Sequence, residues 1–201
     1  MVERLSPRKI VVVDLDGTLI DGNTLHLYFR AALRNSNVLE VVRMAGWLGL
    51  RALRIVSHKR MKFALLSIIK PSEKIRKTFV AYFQRLLRPN VAELLARYRQ
   101  QGAVILLATA APDLYIPWIW DEPFIATKTI SNPLNTECRG FLKAQRVKDF
   151  MRDGDILEAV ITDHYDDLPL LQLGANANYL VSPAPRTLRK VIAKNLNYKL
   201  L

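Results

Sequence analysis

The chain has 201 residues, of which half are hydrophobic and 24% are charged. These values exclude an intrinsically disordered chain and predict one domain, or one domain with a modest insert. Cys138 is the only cysteine, which excludes an intramolecular disulfide. The first ten residues lack the apolar core of a signal peptide, and no apolar run reaches the roughly 18 residues of a membrane span, so we expect a cytoplasmic protein.

The positive charge is concentrated in one part of the sequence. The net charge is +12, and residues 24–88 contain 14 Lys or Arg but only two acids, Glu40 and Glu73. The rest of the chain carries 16 basic and 16 acidic residues and is therefore neutral. A change of composition this sharp indicates a separate module.

Outside this basic segment, predicted strands and helices alternate. Short apolar runs typical of buried parallel strands occur at 9–13, 104–108, 124–129, 157–162 and 177–181. Helical patterns follow at 90–101, 143–151, 168–173 and 186–194. The alternation predicts an α/β fold, a Rossmann-like parallel sheet covered by helices on both faces.

Within the basic segment we predict only helices, at 24–35, 38–58, 60–70 and 73–88. At 100° per residue, the charged side chains of the 38–58 helix fall within a narrow arc, and the remaining surface is apolar. We therefore expect this helix to pack inside a small helical bundle. The resulting division assigns 1–22 and 89–201 to an α/β core and 23–88 to an all-helical insert after the first strand.

Two carboxylates follow the first predicted strand. Asp14 and Asp16 flank Leu15, and residues two apart in an extended segment point the same way. Open α/β sheets bind ligands at this edge, and paired acids can hold Mg²⁺ or divide nucleophilic attack and proton transfer between them. A simple Asp-Gly turn would also explain the run DLDGT.

Polar residues also follow later predicted strands. The hydroxyl of Thr109 can donate to a phosphoryl oxygen or simply cap a strand end. Lys143 can offset phosphate charge or be a solvated lysine, and Lys148 is its rival. Asp163 and Asp167 can complete a metal site and orient the lysine, although acids also cap helices.

These segments resemble the four motifs of the haloacid dehalogenase (HAD) superfamily, in its phosphoserine phosphatase-like branch. DLDGTL is similar to the first motif, ATAAP to the second, C-x-G-x-x-K to the third and TDHYDDLPLL to the fourth. The resemblance implies a nucleophile at Asp14 and a general acid/base at Asp16. It also implies phosphate binding by Thr109, Ala110 and Lys143. The Mg²⁺ ligands that it implies are Asp14, Asp16, Asp163 and Asp167.

The resemblance therefore implies a Mg²⁺-dependent phosphatase that forms an aspartyl phosphate, with residues 23–88 as a small cap over the site. Three positions depart from the family pattern. Asn23 stands where phosphoserine phosphatases have a Glu that grips the substrate's amino group, which argues against phosphoserine. His164 replaces a small residue, and Ala111 replaces a serine.

The basic charge of the insert suits an acidic substrate. We expect a small phosphorylated metabolite; the alternative is a lipid phosphate, such as a phosphatidylglycerophosphate-like headgroup, reached at a membrane surface through the apolar 38–56 stretch. The net charge also suggests nucleic-acid binding as an alternative, but no recognised nucleic-acid motif is present. The intact acids argue against a non-catalytic protein of the same fold.

Overall fold

The computed structural model describes residues 6–130 and 136–201. Six strands occur in these two ranges: β1 (Lys9–Val13), β2 (Val104–Pro112), β3 (Phe124–Thr127), β4 (Ile156–Thr162), β5 (Ala177–Leu180) and β6 (Lys199–Leu200). They form one sheet in the order β3-β2-β1-β4-β5-β6, and every neighbouring pair is parallel. The predicted α/β fold is confirmed, and β6 is a strand that the sequence pattern did not predict.

Eight α-helices accompany the sheet in the described residues. They are α1 (Thr24–Asn35), α2 (Val38–Ala52), α3 (His58–Ile68), α4 (Glu73–Gln84), α5 (Pro89–Gln100), α6 (Phe141–Phe150), α7 (Leu168–Leu171) and α8 (Pro185–Ile192). The first four follow β1 without an intervening strand, so the predicted all-helical insert is confirmed. The remaining helices connect the strands of the sheet.

The central strand β1 is buried on both faces. Val11 and Val13 belong to one hydrophobic core, and Ile10 and Val12 belong to a second one. Successive side chains of a strand point to opposite faces, so each face of the sheet has its own core. This two-sided burial is why the run is continuously apolar and mostly β-branched.

The two ends of the insert lie side by side. The N–H of Asp21 donates to the carbonyl of Leu86 (2.8 Å), and the N–H of Arg88 donates to the carbonyl of Leu19 (3.0 Å). The chain therefore leaves the core and returns to it at one place. This pairing supports our division at residues 23–88, which we keep as a proposal.

Aromatic side chains attach the insert to the core. The rings of Tyr28 in α1 and Phe79 in α4 lie 5.1 and 4.9 Å from the ring of Tyr115, which follows β2. All three rings are buried. Buried aromatic contacts of this kind dominate the packing energy of small interfaces. We infer that α1 and α4 anchor the insert to the core.

The prediction for the 38–58 helix is wrong in two respects. The helix ends at Ala52, Arg54 adopts a positive φ of 59°, and a new helix begins at His58. Met44 is the one buried side chain of α2, so the helix packs along a narrow stripe rather than inside a bundle. No helix in the described residues is both long and apolar enough to cross a membrane.

Candidate active site

Asp14 lies directly after β1, at the carboxyl end of the sheet. Its backbone N–H donates to the carbonyl of Ile161 in β4 (2.9 Å), so the sheet itself fixes its position. The turn that follows requires glycine, because Gly17 has a φ of +81° and a Cβ there would lie 2.4 Å from Oδ2 of Asp163. The turn therefore brings the backbone after β1 against the Asp163 carboxylate.

Lys143 is a buried lysine held between two carboxylates. It lies in the first turn of α6, and its Nζ donates to Oδ1 of Asp14 at 2.7 Å and to Oδ2 of Asp167 at 2.9 Å. The hydroxyl of Thr162 donates to Oδ2 of Asp167 at 2.7 Å and helps to hold that carboxylate. The rival Lys148 is exposed on the same helix. The geometry thus joins Lys143, and not Lys148, to the predicted acids.

A buried threonine connects Asp14 with Asp163. The hydroxyl of Thr18 lies 3.2 Å from Oδ1 of Asp163 and 3.5 Å from Oδ2 of Asp14. Both carboxylates therefore surround one small polar space at the ends of β1 and β4. They are the two acids best placed to share a cation.

The carboxylate of Asp16 is engaged by the insert. Its Oδ1 accepts a hydrogen bond from the backbone N–H of Thr24 (2.7 Å), the first residue of α1. The Thr24 hydroxyl in turn lies 3.1 Å from the Tyr115 hydroxyl. Asp16 therefore lies at the junction of core and insert.

Hydrogen bonds hold the last residues of β2, where the register against β3 shifts between Ala108 and Pro112. The hydroxyl oxygen of Thr109 accepts from the N–H of Ala111 (3.0 Å), and the carbonyl of Ala110 accepts from the Thr127 hydroxyl (2.8 Å). Thr109 is buried. Because its oxygen accepts a backbone hydrogen bond, the hydroxyl hydrogen remains to donate to another group.

One cavity of about 310 Å³ collects the whole predicted set. Its lining includes Asp14, Asp16, Thr109, Ala110, Lys143, Asp163 and Asp167. The three departures from the family pattern, at positions 23, 111 and 164, line it as well. Residues from four separate stretches of the sequence therefore meet at the carboxyl edge of the sheet.

Sequence reasoning missed Lys62. This α3 residue is buried, and its Nζ donates to the carbonyl of Ala110 (3.2 Å) and to Oε1 of Glu137 (2.5 Å). Lys62, Ala110 and Glu137 all line the cavity, so the ion pair links insert and core across it. A signal was present, because Lys62 shares the buried stripe of α3 with Leu65 and Leu66.

Two cavity residues lie at the N-termini of helices. Asn23 caps α1 by accepting from the N–H of His26 (3.1 Å), so its side-chain oxygen is already engaged. His58, the first residue of α3, also lines the cavity. Neither residue carries a charge suited to an ammonium group, which agrees with the argument against phosphoserine.

The charges in the cavity do not balance. Burial raises the pKa of Asp14 to about 7; Lys143 opposes this shift, and the carboxylates of Asp167 and Asp163 reinforce it. Burial also raises the pKa of Asp163 and of Asp16. Burial lowers the pKa of Lys143, but Asp14 and Asp167 outweigh it and raise that pKa above its ordinary value. The site therefore favours one more positive charge.

These oxygen donors fit Mg²⁺ in chemistry and charge. Magnesium is bound in proteins by one or two carboxylates and keeps several waters. Asp14 and Asp163 can supply such a pair, whereas Asp167 already accepts hydrogen bonds from Lys143 and Thr162. Within the described ranges, no three His, Cys, Asp or Glu side chains lie close enough together to hold a metal ion between them. Asp14 and Asp163 are thus the simplest pair of protein ligands.

The comparisons with known proteins show the family of the chain. A family model for haloacid dehalogenase-like hydrolases matches residues 11–172. The chain belongs to this family. No curated protein matches the chain. The hydrolase family predicted from the four motifs is therefore confirmed.

Solved structures share the fold of this haloacid dehalogenase-like hydrolase at low sequence identity. A Bordetella pertussis Tohama I protein of unknown function has a TM-score of 0.73 and 17% identity, covering 96% of this chain and 98% of its own. A phosphoserine phosphohydrolase-like protein from Francisella tularensis has a TM-score of 0.55 and 19% identity, covering 96% and 94%. An apo phosphoserine phosphatase has a TM-score of 0.59 and 15% identity, covering 96% and 93%.

Proposed function

We propose that the protein is a Mg²⁺-dependent phosphatase that hydrolyses a phosphomonoester through a phosphorylated Asp14. The observation that carries this proposal is the buried Lys143 ammonium, 2.7 Å from Asp14 and 2.8 Å from Asp167. Such a group can neutralise a phosphoryl oxygen beside the nucleophile. A structural lysine alone would not explain why Asp163 and Thr109 share the same cavity.

Asp14 and Asp163 would hold Mg²⁺ through their carboxylates, and Asp16 through its backbone carbonyl. Asp167 would act on the site through Lys143, because its Oδ2 accepts hydrogen bonds from that ammonium and from Thr162. When bound, Mg²⁺ would offset negative charge on the transferred phosphoryl group.

The chemical roles follow from the chain's own groups. An oxygen of Asp14 bonds to phosphorus as the bond to the leaving oxygen breaks, and Asp16 gives its proton to that oxygen. Burial raises the pKa of Asp16, so it can hold a proton for this step. Asp16 then takes a proton from the water that hydrolyses the aspartyl phosphate. Thr109 and Lys143 hold the phosphoryl oxygens throughout.

The substrate that fits best is a small phosphomonoester without an ammonium group near the phosphate. Asn23 is neutral and engaged in capping, so it offers no charge to an ammonium group. A lipid-borne phosphomonoester is the second candidate, because the insert exposes a large apolar face on α2.

The test is hydrolysis of p-nitrophenyl phosphate with Mg²⁺ and with EDTA. We expect activity only with the metal, no turnover by Asp14→Asn, and wild-type activity from the exposed control Asp153→Asn. Acid quenching should trap a phosphorylated wild-type protein and no phosphorylated variant. Near-normal hydrolysis by Asp14→Asn would reject the nucleophile assignment.

A further inference from the structure

The outward face of α2 is apolar. Val38, Leu39 and Val42 are 80%, 60% and 62% exposed. Gly46 and Gly49 lie on the same side at 100° per residue, and a Cβ at either would meet no atom within 4 Å. The face is therefore open along the whole helix.

The loop after α2 extends this face. Leu53 and Ile55 are 72% and 65% exposed, and Leu48 and Leu50 are exposed on the helix itself. We call α2 together with residues 53–57 the apolar ridge. A surface patch of this extent on a soluble protein marks an interaction site.

The side of α2 that contacts the rest of the insert is mixed in character. Met44 is buried and Trp47 and Glu40 are half-buried, so the contact with the rest of the insert includes the only acid of the helix. Arg43 lies at the border of the apolar side, and Arg51 is exposed near the end of the contact side. This order is the reverse of a helix whose apolar stripe faces the protein core.

Basic side chains surround the apolar ridge. Five are exposed along it and just beyond it: Arg43, Arg51, Arg54, Lys59 and Arg60. Apolar residues on one face with Lys and Arg at its edges are typical of helices that lie in a membrane interface. Long basic side chains can lay their stems on apolar surface and keep their charge in the headgroup region.

We propose that the apolar ridge docks on an anionic lipid bilayer. A helix of 15 residues is about 22 Å long, too short to cross a hydrocarbon core of about 30 Å, so it would lie along the surface. A dimer formed through this face would bring the basic side chains of two copies together, and α2 of each copy has only one acid to offset them. An anionic bilayer offers the complementary charge, and this favours lipid over a second copy.

Docking would bring the cavity close to the bilayer. His58 lines the cavity and follows Ile55 by three residues, a span of at most about 10 Å. A phosphate group carried at the membrane surface would then lie near the cavity entrance. The docking itself does not depend on the chemistry at Asp14.

The experiment is sedimentation of the purified chain with phosphatidylcholine vesicles, with and without phosphatidylglycerol. We expect binding to the mixed vesicles that weakens in high salt. The double variant Val42→Glu/Leu53→Glu should bind at least about tenfold less, because two apolar groups that would enter the bilayer interface become charged. The matched control Ile192→Glu, which changes an exposed isoleucine in α8, should bind as the wild type does.

Additional measurements make each outcome decisive. Hydrolysis of p-nitrophenyl phosphate by the double variant should equal that of the wild type, which shows that it is folded. Asp14→Asn should bind vesicles normally, so failure of the proposed phosphatase would leave this test intact. Wild-type protein that stays in solution, or a double variant that binds equally well, would overturn the proposal. The proposal would also be overturned if the wild type formed a dimer that did not bind vesicles and the double variant were monomeric.

Discussion

Asp14→Asn should make the metal-free protein more stable at neutral pH while it abolishes turnover. Asp14 is buried beside Asp163 and Asp167, and Lys143 is the one ammonium in direct contact with it. An ionised Asp14 therefore opposes folding when no cation is bound. The asparagine keeps the shape and removes the charge.

The size of the effect follows from the pKa of Asp14, which burial raises from 3.8 to about 7. At 1.36 kcal/mol per pH unit, this shift corresponds to on the order of 4 kcal/mol. The pKa of Asp14 is higher in the folded protein than in the unfolded chain. The free energy of unfolding of the wild type is therefore highest below about pH 4 and falls as the pH rises to about 7. The advantage of the variant should be near zero at pH 4 and full above pH 7.

The assay is thermal unfolding in EDTA at a series of pH values. For a chain of this length, each kcal/mol raises the melting temperature by about 2–4 °C, so we expect a shift of about 10 °C at pH 8. The control is Asp153→Asn, which removes an exposed charge and should leave the melting temperature unchanged. Equal melting temperatures of Asp14→Asn and wild type at pH 8 would refute the idea that the charge of Asp14 is uncompensated.

Two further predictions concern the metal and the turn after β1. A proton should compete with Mg²⁺ for Asp14, so the Mg²⁺ concentration for half-maximal activity should rise about tenfold per pH unit below about pH 7; a constant value would contradict this. Gly17→Ala should lose stability by about 1–3 kcal/mol and lower kcat at least about tenfold, because its Cβ displaces Asp163. The control Gly102→Ala has a similar φ but open space around its Cβ, so it should lose stability and keep kcat.

Much of the site was predictable because its residues are marked locally. Each acid or threonine follows a short apolar strand, and strands of this kind are recognised by composition alone. Parallel strands also bring their carboxyl ends to one edge, so Asp14, Thr109 and Asp163 could be expected to meet. The cavity that all of them line agrees with this expectation.

Other features needed the packed structure. Lys143 and Lys148 lie on the same helix, and only the fold brings Lys143 to the acids. Lys62 and Glu137 are 75 residues apart, so no local pattern predicts their ion pair across the cavity. The metal-binding roles of Asp14, Asp16, Asp163 and Asp167 stay predictions.

By itself the sequence determined the alternation of strands and helices, the insert after β1 and the motif positions, because these depend on periodicity and on neighbours a few residues away. Tertiary structure alone decided which way the amphipathic α2 faces. Its apolar pattern is the same whether the partner is protein or lipid, and only packing against α3 leaves Val38 and Val42 exposed. The period of the apolar residues along the chain does not identify what covers a hydrophobic face, because that depends on the whole fold.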